Sequence, residues 1–208
     1  MSRYSVNTSE GEYQPGSDGL VLKNLLGITS KDEMDELELG LLAQLYESVL
    51  VEDLPDRGLT VEDLKVWHRR WLGNVYAWAG MERSVNMSKD GFPFAAAGQI
   101  PWALAQLDQN CLKRWTPCSG LSTDELVEAI AVTHVEFILI HPFREGNGRL
   151  ARLLSDVMAV QAGLEPLDYS TWETNRAEYI GAIHHGVSTN YEPMKRCVRV
   201  AMGLAVDD

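Results

Sequence analysis

The chain has 208 residues, 45% of them hydrophobic and 23% charged, with 17 Gly and 8 Pro: the profile of one globular domain, not of a disordered polyelectrolyte, a collagen-like fibre or a repeat array. Its 18 Lys+Arg against 30 Asp+Glu give a formal charge of −12, a field that repels nucleic-acid backbones and anionic membrane surfaces. Three cysteines, Cys111, Cys118 and Cys197, are odd in number and lack metal-ligand spacing, so they read as reduced thiols.

The first nineteen residues are rich in Gly, Ser and Glu without apolar periodicity, and are expected to form an extended or mobile arm. They contain no basic segment leading into an apolar one, and nowhere does the chain approach the ~20 apolar residues of a membrane-spanning helix. The expectation is a cytoplasmic protein without membrane or nucleic-acid binding, delivery into a host cell being left open.

From Ser30, paired with Glu33 as a capping box, Met34, Leu37, Leu41, Leu45 and Val49 recur at helical spacing, predicting one amphipathic helix over about 30–50. A second helix is expected from Thr60, with Asp63 near its positive end and Leu64, Trp67 and Trp71 buried. The segment 73–98 breaks this period. Lys89-Asp90-Gly91 is a turn signal between Arg83-Ser84-Val85-Asn86-Met87 and Phe92-Pro93-Phe94, predicting a short hairpin projecting from a helical body. Helical periodicity resumes through Trp102, Leu104, Leu107, Cys111 and Trp115, and again from Ser122 with Glu125 three residues on. The helix that follows is nearly all apolar through Ile140 and is expected at the centre of the bundle. A helix to about Gly163 and two more, over 172–185 and 191–204, complete the chain.

The loop after the central helix concentrates the chemistry. Pro142 blocks helix continuation directly after His141, so the imidazole is held at a rigid helix end, with an ordinary pKa of ~6.5 suited to accepting a proton. Gly146 and Gly148 bracket Asn147 and permit positive φ and a close backbone approach. The next helix starts here, so unpaired N–H groups and its dipole converge on one anion. Arg149 and Arg152 share a face near that helix N-terminus, a position unfavourable for cations unless an anion lies between them, which implies a polyphosphate. Glu145 supplies the hard oxygen that Mg²⁺ takes when phosphates and water complete its shell. Each feature alone is commonplace; their occurrence together within twelve residues is not.

The run HPFREGNGRLAR, residues 141–152, resembles without mismatch the signature HPFx[D/E]GN[G/K]RxxR of Fic-domain proteins. Residues 73–80 and the Arg83–Phe94 hairpin are similar to that family's flap region, and the resemblance extends over about residues 20–204, so residues 20–208 are assigned to one such domain. It implies a mainly α fold, a Fic-type helical bundle with one projecting β-hairpin flap, and transfer of AMP from ATP to a Ser, Thr or Tyr hydroxyl of a target protein. By that resemblance His141 is the general base, Glu145 the Mg²⁺ ligand, and Gly146, Asn147 and Gly148 the anion hole. Arg149 and Arg152 contact the β- and γ-phosphates, and Phe143 is a packing anchor. A lysine in place of Gly148 would instead accompany phosphate transfer. Arg83, Ser84, Val85, Asn86, Met87, Lys89 and Phe94 form the target-docking flap, its open strand edge accepting an extended segment. Tyr179 and Asn175 are candidate nucleoside contacts. No segment matches the family's inhibitory pattern [S/T]xxxE[G/N], so Arg152 is expected to lack an acidic partner and any inhibitor to be a separate small antitoxin. The alternatives are a hydrolase removing AMP at the same site, transfer of another nucleoside monophosphate, and a non-catalytic module. His184-His185 are adjacent on a helix and diverge by ~100°, which argues against a metal pair.

Overall fold

The computed structural model describes residues 5–6 and 12–205. Helix α1 (Lys31–Tyr46) starts where the Ser30 hydroxyl accepts the Glu33 N–H, and runs on into a π-wound turn, Glu47–Glu52. Helix α2 (Val61–Leu72) begins with a reciprocal box between Thr60 and Asp63. It buries Leu64, Trp67, Trp71 and Leu72. Helices α3 (Ile100–Leu107) and α4 (Lys113–Trp115) are joined by a π-wound stretch, Asp108–Leu112, in place of one uninterrupted helix.

Helix α5 (Thr123–Ile140) starts on the Ser122–Glu125 box and is the axis of the molecule: Ala129, Ile130, Ala131, Val135 and Phe137 have no exposed surface. It packs on α6 (Asn147–Gln161), α9 (Glu192–Ala201) and α3. At roughly 1.5–3 kcal/mol for each fully buried large apolar side chain, this contact set dominates the stability of the fold. The helix expected over 172–185 is two, α7 (Ser170–Thr174) and α8 (Arg176–His185), divided at Asn175 (φ −104, ψ 46). Cys111, Cys118 and Cys197 are all buried free thiols. Among the described residues no helix is long and apolar enough to cross a membrane.

The hairpin is present as β2 (Met87–Lys89) and β3 (Phe92–Pro93), joined by Asp90 (φ 50) and Gly91 (φ 83). Two consecutive positive φ values are what a tight two-residue hairpin turn demands, which explains Asp-Gly there. Two expectations need correction. The outer edge of β2 is not open: β1 (Ser5–Val6) pairs with it antiparallel, Ser5 opposite Ser88 and Val6 opposite Met87, because unpaired strand groups accept the chain's own extended segment. Residues 12–19 are tied down as well. Tyr13 bridges Leu22, the Gln14 N–H reaches the Val21 carbonyl at 2.8 Å, and the Lys23 N–H reaches the Glu12 carbonyl at 3.0 Å. The remainder of the expected arm, 1–4 and 7–11, lies outside the described residues.

Candidate active site

His141 ends α5 in the left-handed region (φ 50, ψ 59), a conformation costing a non-glycine residue roughly 1–2 kcal/mol. It is held there by Arg83, whose buried guanidinium donates to the carbonyls of His141 (2.7 Å), Ile140 (3.2 Å), Ala95 and Val85. The Arg83 N–H also reaches the Pro142 carbonyl at 2.8 Å. A cation is favoured at a helix C-terminus, where carbonyls are orphaned. Arg83 therefore fastens the flap to the end of α5; its expected place on the docking face is corrected, since all of its polar reach is spent inward. Burial brings its pKa down to about 10.

The His141 ring is 4% exposed and its Nδ1 lies 3.2 Å from the Ile138 carbonyl. A carbonyl only accepts, so Nδ1 carries the proton and Nε2 the lone pair. Burial, with Arg83 and Lys89 nearby, lowers its pKa to about 3, so the imidazole is neutral. The Phe94 ring stacks on it at 3.7 Å and 10°.

The loop beyond is rigid because its polar groups are satisfied internally. Asn147, fully buried, accepts the Phe143 N–H through Oδ1 at 2.9 Å and donates to the Phe143 carbonyl through Nδ2 at 2.8 Å. Its side chain thus closes the loop and does not face an anion. Beneath it Phe143 stacks on His68 at 4.0 Å. The His68 Nδ1 accepts the Gly80 N–H at 2.8 Å, which makes Nε2 the donor to the Glu145 carbonyl at 3.0 Å. Burial lowers the His68 pKa to about 4, fixing this neutral tautomer.

Gly146 (φ +82) caps α6, and a Cβ there would lie 2.7 Å from the Trp71 ring. Gly148 is helical, contrary to the positive φ expected, and a Cβ on it meets nothing within 4 Å; glycine here leaves space. The Gly146 N–H is occupied by Glu145 Oε1 at 2.9 Å. The helical ladder starts with the Leu150 N–H on the Gly146 carbonyl, so the N–H groups of Asn147, Gly148 and Arg149 precede it and form the anion-directed end.

Arg149 pairs with Glu38 at 2.7 Å and Glu145 at 3.5 Å, with its guanidinium 4.5 Å over the Trp71 ring. Arg152 is not without an acidic partner, as had been expected. It meets Glu173 at 2.9 Å, with Tyr169 beneath it at 5.0 Å. Glu173 follows Tyr169 by four residues and precedes Thr174, so no inhibitory pattern announced it. Its carboxylate is 67% exposed, and such a pair contributes at most about 1 kcal/mol. Under Arg152 the Tyr169 hydroxyl donates to buried Asp156 at 2.8 Å, as does Tyr46 at 3.1 Å.

His141, Glu145, Gly146, Gly148, Arg149 and Arg152 line one cleft of about 720 Å³ together with Lys89 and Phe94 from the hairpin. Tyr179 lines its far side, stacked on Trp172 at 4.9 Å and 19°, with its hydroxyl 2.9 Å from His134 Nε2. Asn175 is not there. It is exposed and lines a separate small depression, where its carbonyl starts α8 by accepting from Glu178 and Tyr179. Of the remaining hairpin residues, Val85 and Met87 are buried with Phe94 in a small cluster, Ser84 is exposed, and Asn86 accepts the Ala97 N–H through its side chain. His184 stacks on Phe92 at 4.1 Å at the cleft rim, and among the described residues no group of three metal-ligating side chains occurs.

The family model of the Fic/DOC family matches residues 58–159, which contain helices α2 to α5, the whole 141–152 loop and most of α6. The match takes in 102 of the 208 residues, just under half of the chain. Among curated relatives, the protein adenylyltransferase VbhT of Bartonella schoenbuchensis is 32% identical over 156 residues, 74% of this chain and 32% of that protein. The probable protein adenylyltransferase y4lH of Sinorhizobium fredii is 28% identical over 179 residues, 86% of this chain and 90% of that protein. The chain thus spans about a third of VbhT and most of y4lH. The N-terminal Fic domain of a putative cell filamentation protein from Bartonella quintana, solved with bound ADP, superposes with a TM-score of 0.73 at 27% identity, covering 86% of this chain and 89% of that one. The mainly helical Fic fold with its hairpin, expected from the motif, is therefore found.

Proposed function

We propose that this chain acts as a Fic/DOC protein and transfers AMP from ATP to a hydroxyl of a target protein. The observation that carries the reading is the convergence, in one cleft, of a neutral histidine with its Nε2 lone pair, a helix N-terminus and two arginines. The names of the relatives and the ADP in the Bartonella quintana domain support it.

The target oxygen attacks the α-phosphorus, the new P–O ester forms as the bond to the β-phosphate oxygen breaks, and pyrophosphate leaves. The hydroxyl proton passes to His141 Nε2. Burial depresses the basicity of that ring, and the negative charge of a triphosphate beside it would raise it. Arg149, Arg152 and the N–H groups opening α6 bind the phosphates and neutralise charge developing on the leaving group. Tyr179 on Trp172 offers a flat apolar wall for a base. Open space at Gly148 suits a phosphate chain lying along the helix end. A single carboxylate, Glu145, fits a Mg²⁺ whose other ligands are phosphate oxygens and water; bound there the ion would supply charge neutralisation for pyrophosphate. An extended target segment would dock on β2 by displacing β1 from that edge. A separate small inhibitor acting at Arg152 and a cytoplasmic setting belong to the same reading.

Incubation with α-³²P-labelled ATP, Mg²⁺ and cell lysate tests it. Label should enter protein with the native chain and be lost by more than about a hundredfold with His141→Ala. Label transferred from γ-labelled ATP instead, or equal labelling by both chains, refutes it.

A further inference from the structure

Glu38 lies on α1, outside the residues that match the family model, and 111 positions before the arginine it meets. It is 4% exposed, and every polar atom it brings to this region is used. Its Oε2 lies 2.7 Å from Arg149, its Oε1 accepts the Tyr76 hydroxyl at 2.7 Å, and its backbone carbonyl accepts the Trp71 indole N–H at 2.9 Å. Trp71 is in turn the ring beneath the Arg149 guanidinium and the wall against Gly146. One residue thus holds one guanidinium nitrogen, Nη2, directly and the face of the group through the indole.

We infer that Glu38 is the positioning residue for Arg149, presetting its guanidinium for a β-phosphate. The inference rests on the reading of Arg149 as a phosphate contact. A buried carboxylate cannot give up its cation cheaply, since the charge would be left uncompensated. Glu145, at 3.5 Å and less enclosed, is the weaker partner of the two. Both carboxylates meet the same Arg149 nitrogen, Nη2, so an arriving phosphate displaces the weaker Glu145 contact and takes the remaining N–H donors of the fork while Nη2 stays on Glu38. A guanidinium presents five N–H donors in a fixed fork, so holding one nitrogen on Glu38 and the plane on the Trp71 ring restricts where the others point.

Titration calorimetry with AMP and ADP separates this from a structural role, because only ADP carries the phosphate at issue. Glu38→Gln should weaken ADP binding by about tenfold while changing AMP binding less than about twofold. In an Arg149→Ala background the same substitution should cause no further loss, since the two act as a unit. Glu38→Asp, which keeps the charge but withdraws it by one methylene, should fall between native and Gln, and it serves as the readout if the Gln chain does not fold. Unchanged ADP affinity, equal losses for ADP and AMP, or additive losses with Arg149→Ala overturn the inference. If the native chain binds neither nucleotide, the failure lies with the nucleotide reading itself and the inference falls with it; native binding with any of the other adverse results sinks the pairing alone.

Discussion

Three buried histidines, His68, His134 and His141, are each held neutral by burial, with pKa values lowered to about 4, about 3 and about 3. In the unfolded chain each returns to about 6.5 and takes up a proton as pH falls below that value. Protonation then favours the unfolded state, so stability is full above about pH 6.5 and falls as pH drops toward the folded values. One such group gives a slope approaching about 1.4 kcal/mol per pH unit, and three together approach about 4. Against a typical total of roughly 5–15 kcal/mol, the domain should lose most of its stability within two to three units below neutrality. In the range between about pH 6.5 and 5 ordinary carboxylates stay ionised and confound little; Asp156, whose pKa burial raises, acts in the opposite sense. The assay is equilibrium urea unfolding followed by the fluorescence of the six tryptophans, at several pH values from about 7.5 to 5. His134→Phe should reduce the slope by about one third while lowering stability at neutral pH, because Tyr179 and Ser155 lose their partner. A native slope near zero, or one unaltered by removing His134, would refute the assignment of these rings as buried and neutral.

Gly146→Ala should cost about 2–5 kcal/mol, combining left-handed strain at φ +82 with a Cβ 2.7 Å from Trp71, and should weaken nucleotide binding because Trp71 underlies Arg149; thermal unfolding beside ADP titration measures both. Asn147→Ala, which leaves the backbone N–H and C=O of Phe143 without their partner in a buried loop, should cost about 2–4 kcal/mol by urea unfolding and also slow any labelling reaction.

Features with a local cause were legible in the sequence. Thr60 followed by Asp63, and the Ser122–Glu125 pair, marked helix starts to the residue, and Lys89-Asp90-Gly91 marked the hairpin turn, because caps and tight turns are decided within four residues. The loop from His141 to Arg152 was singled out on the same local grounds, and His141, Glu145, Gly146, Gly148, Arg149 and Arg152 meet in one cleft. What escaped depended on partners far along the chain. Arg83 was read as part of a projecting flap, but its carbonyl partners include the end of a helix more than fifty residues on. Asn147 was read only for its place between two glycines, and the part of its side chain in closing the loop on Phe143 went unread. Glu38 and His68 were passed over, though a signal existed: each interrupts a buried apolar stripe, Glu38 among Met34, Leu42 and Leu45, His68 among Leu64, Trp67 and Trp71. A charged or titratable side chain on such a stripe announces a buried partner without saying which. The break at Asn175 likewise has no proline or glycine to mark it.

The closed polar circuit of the loop, with Asn147 looped back on Phe143, His68 gripping Glu145 and the indole filling the space behind Gly146, has a consequence for recognition. Such a turn is a cast form: its ordering entropy is spent when the chain folds, so a ligand arriving later has little left to organise. If the site takes phosphates as proposed, discrimination comes from fit to a stiff template, and a phosphate chain of the wrong length is rejected by geometry without any gate having to close.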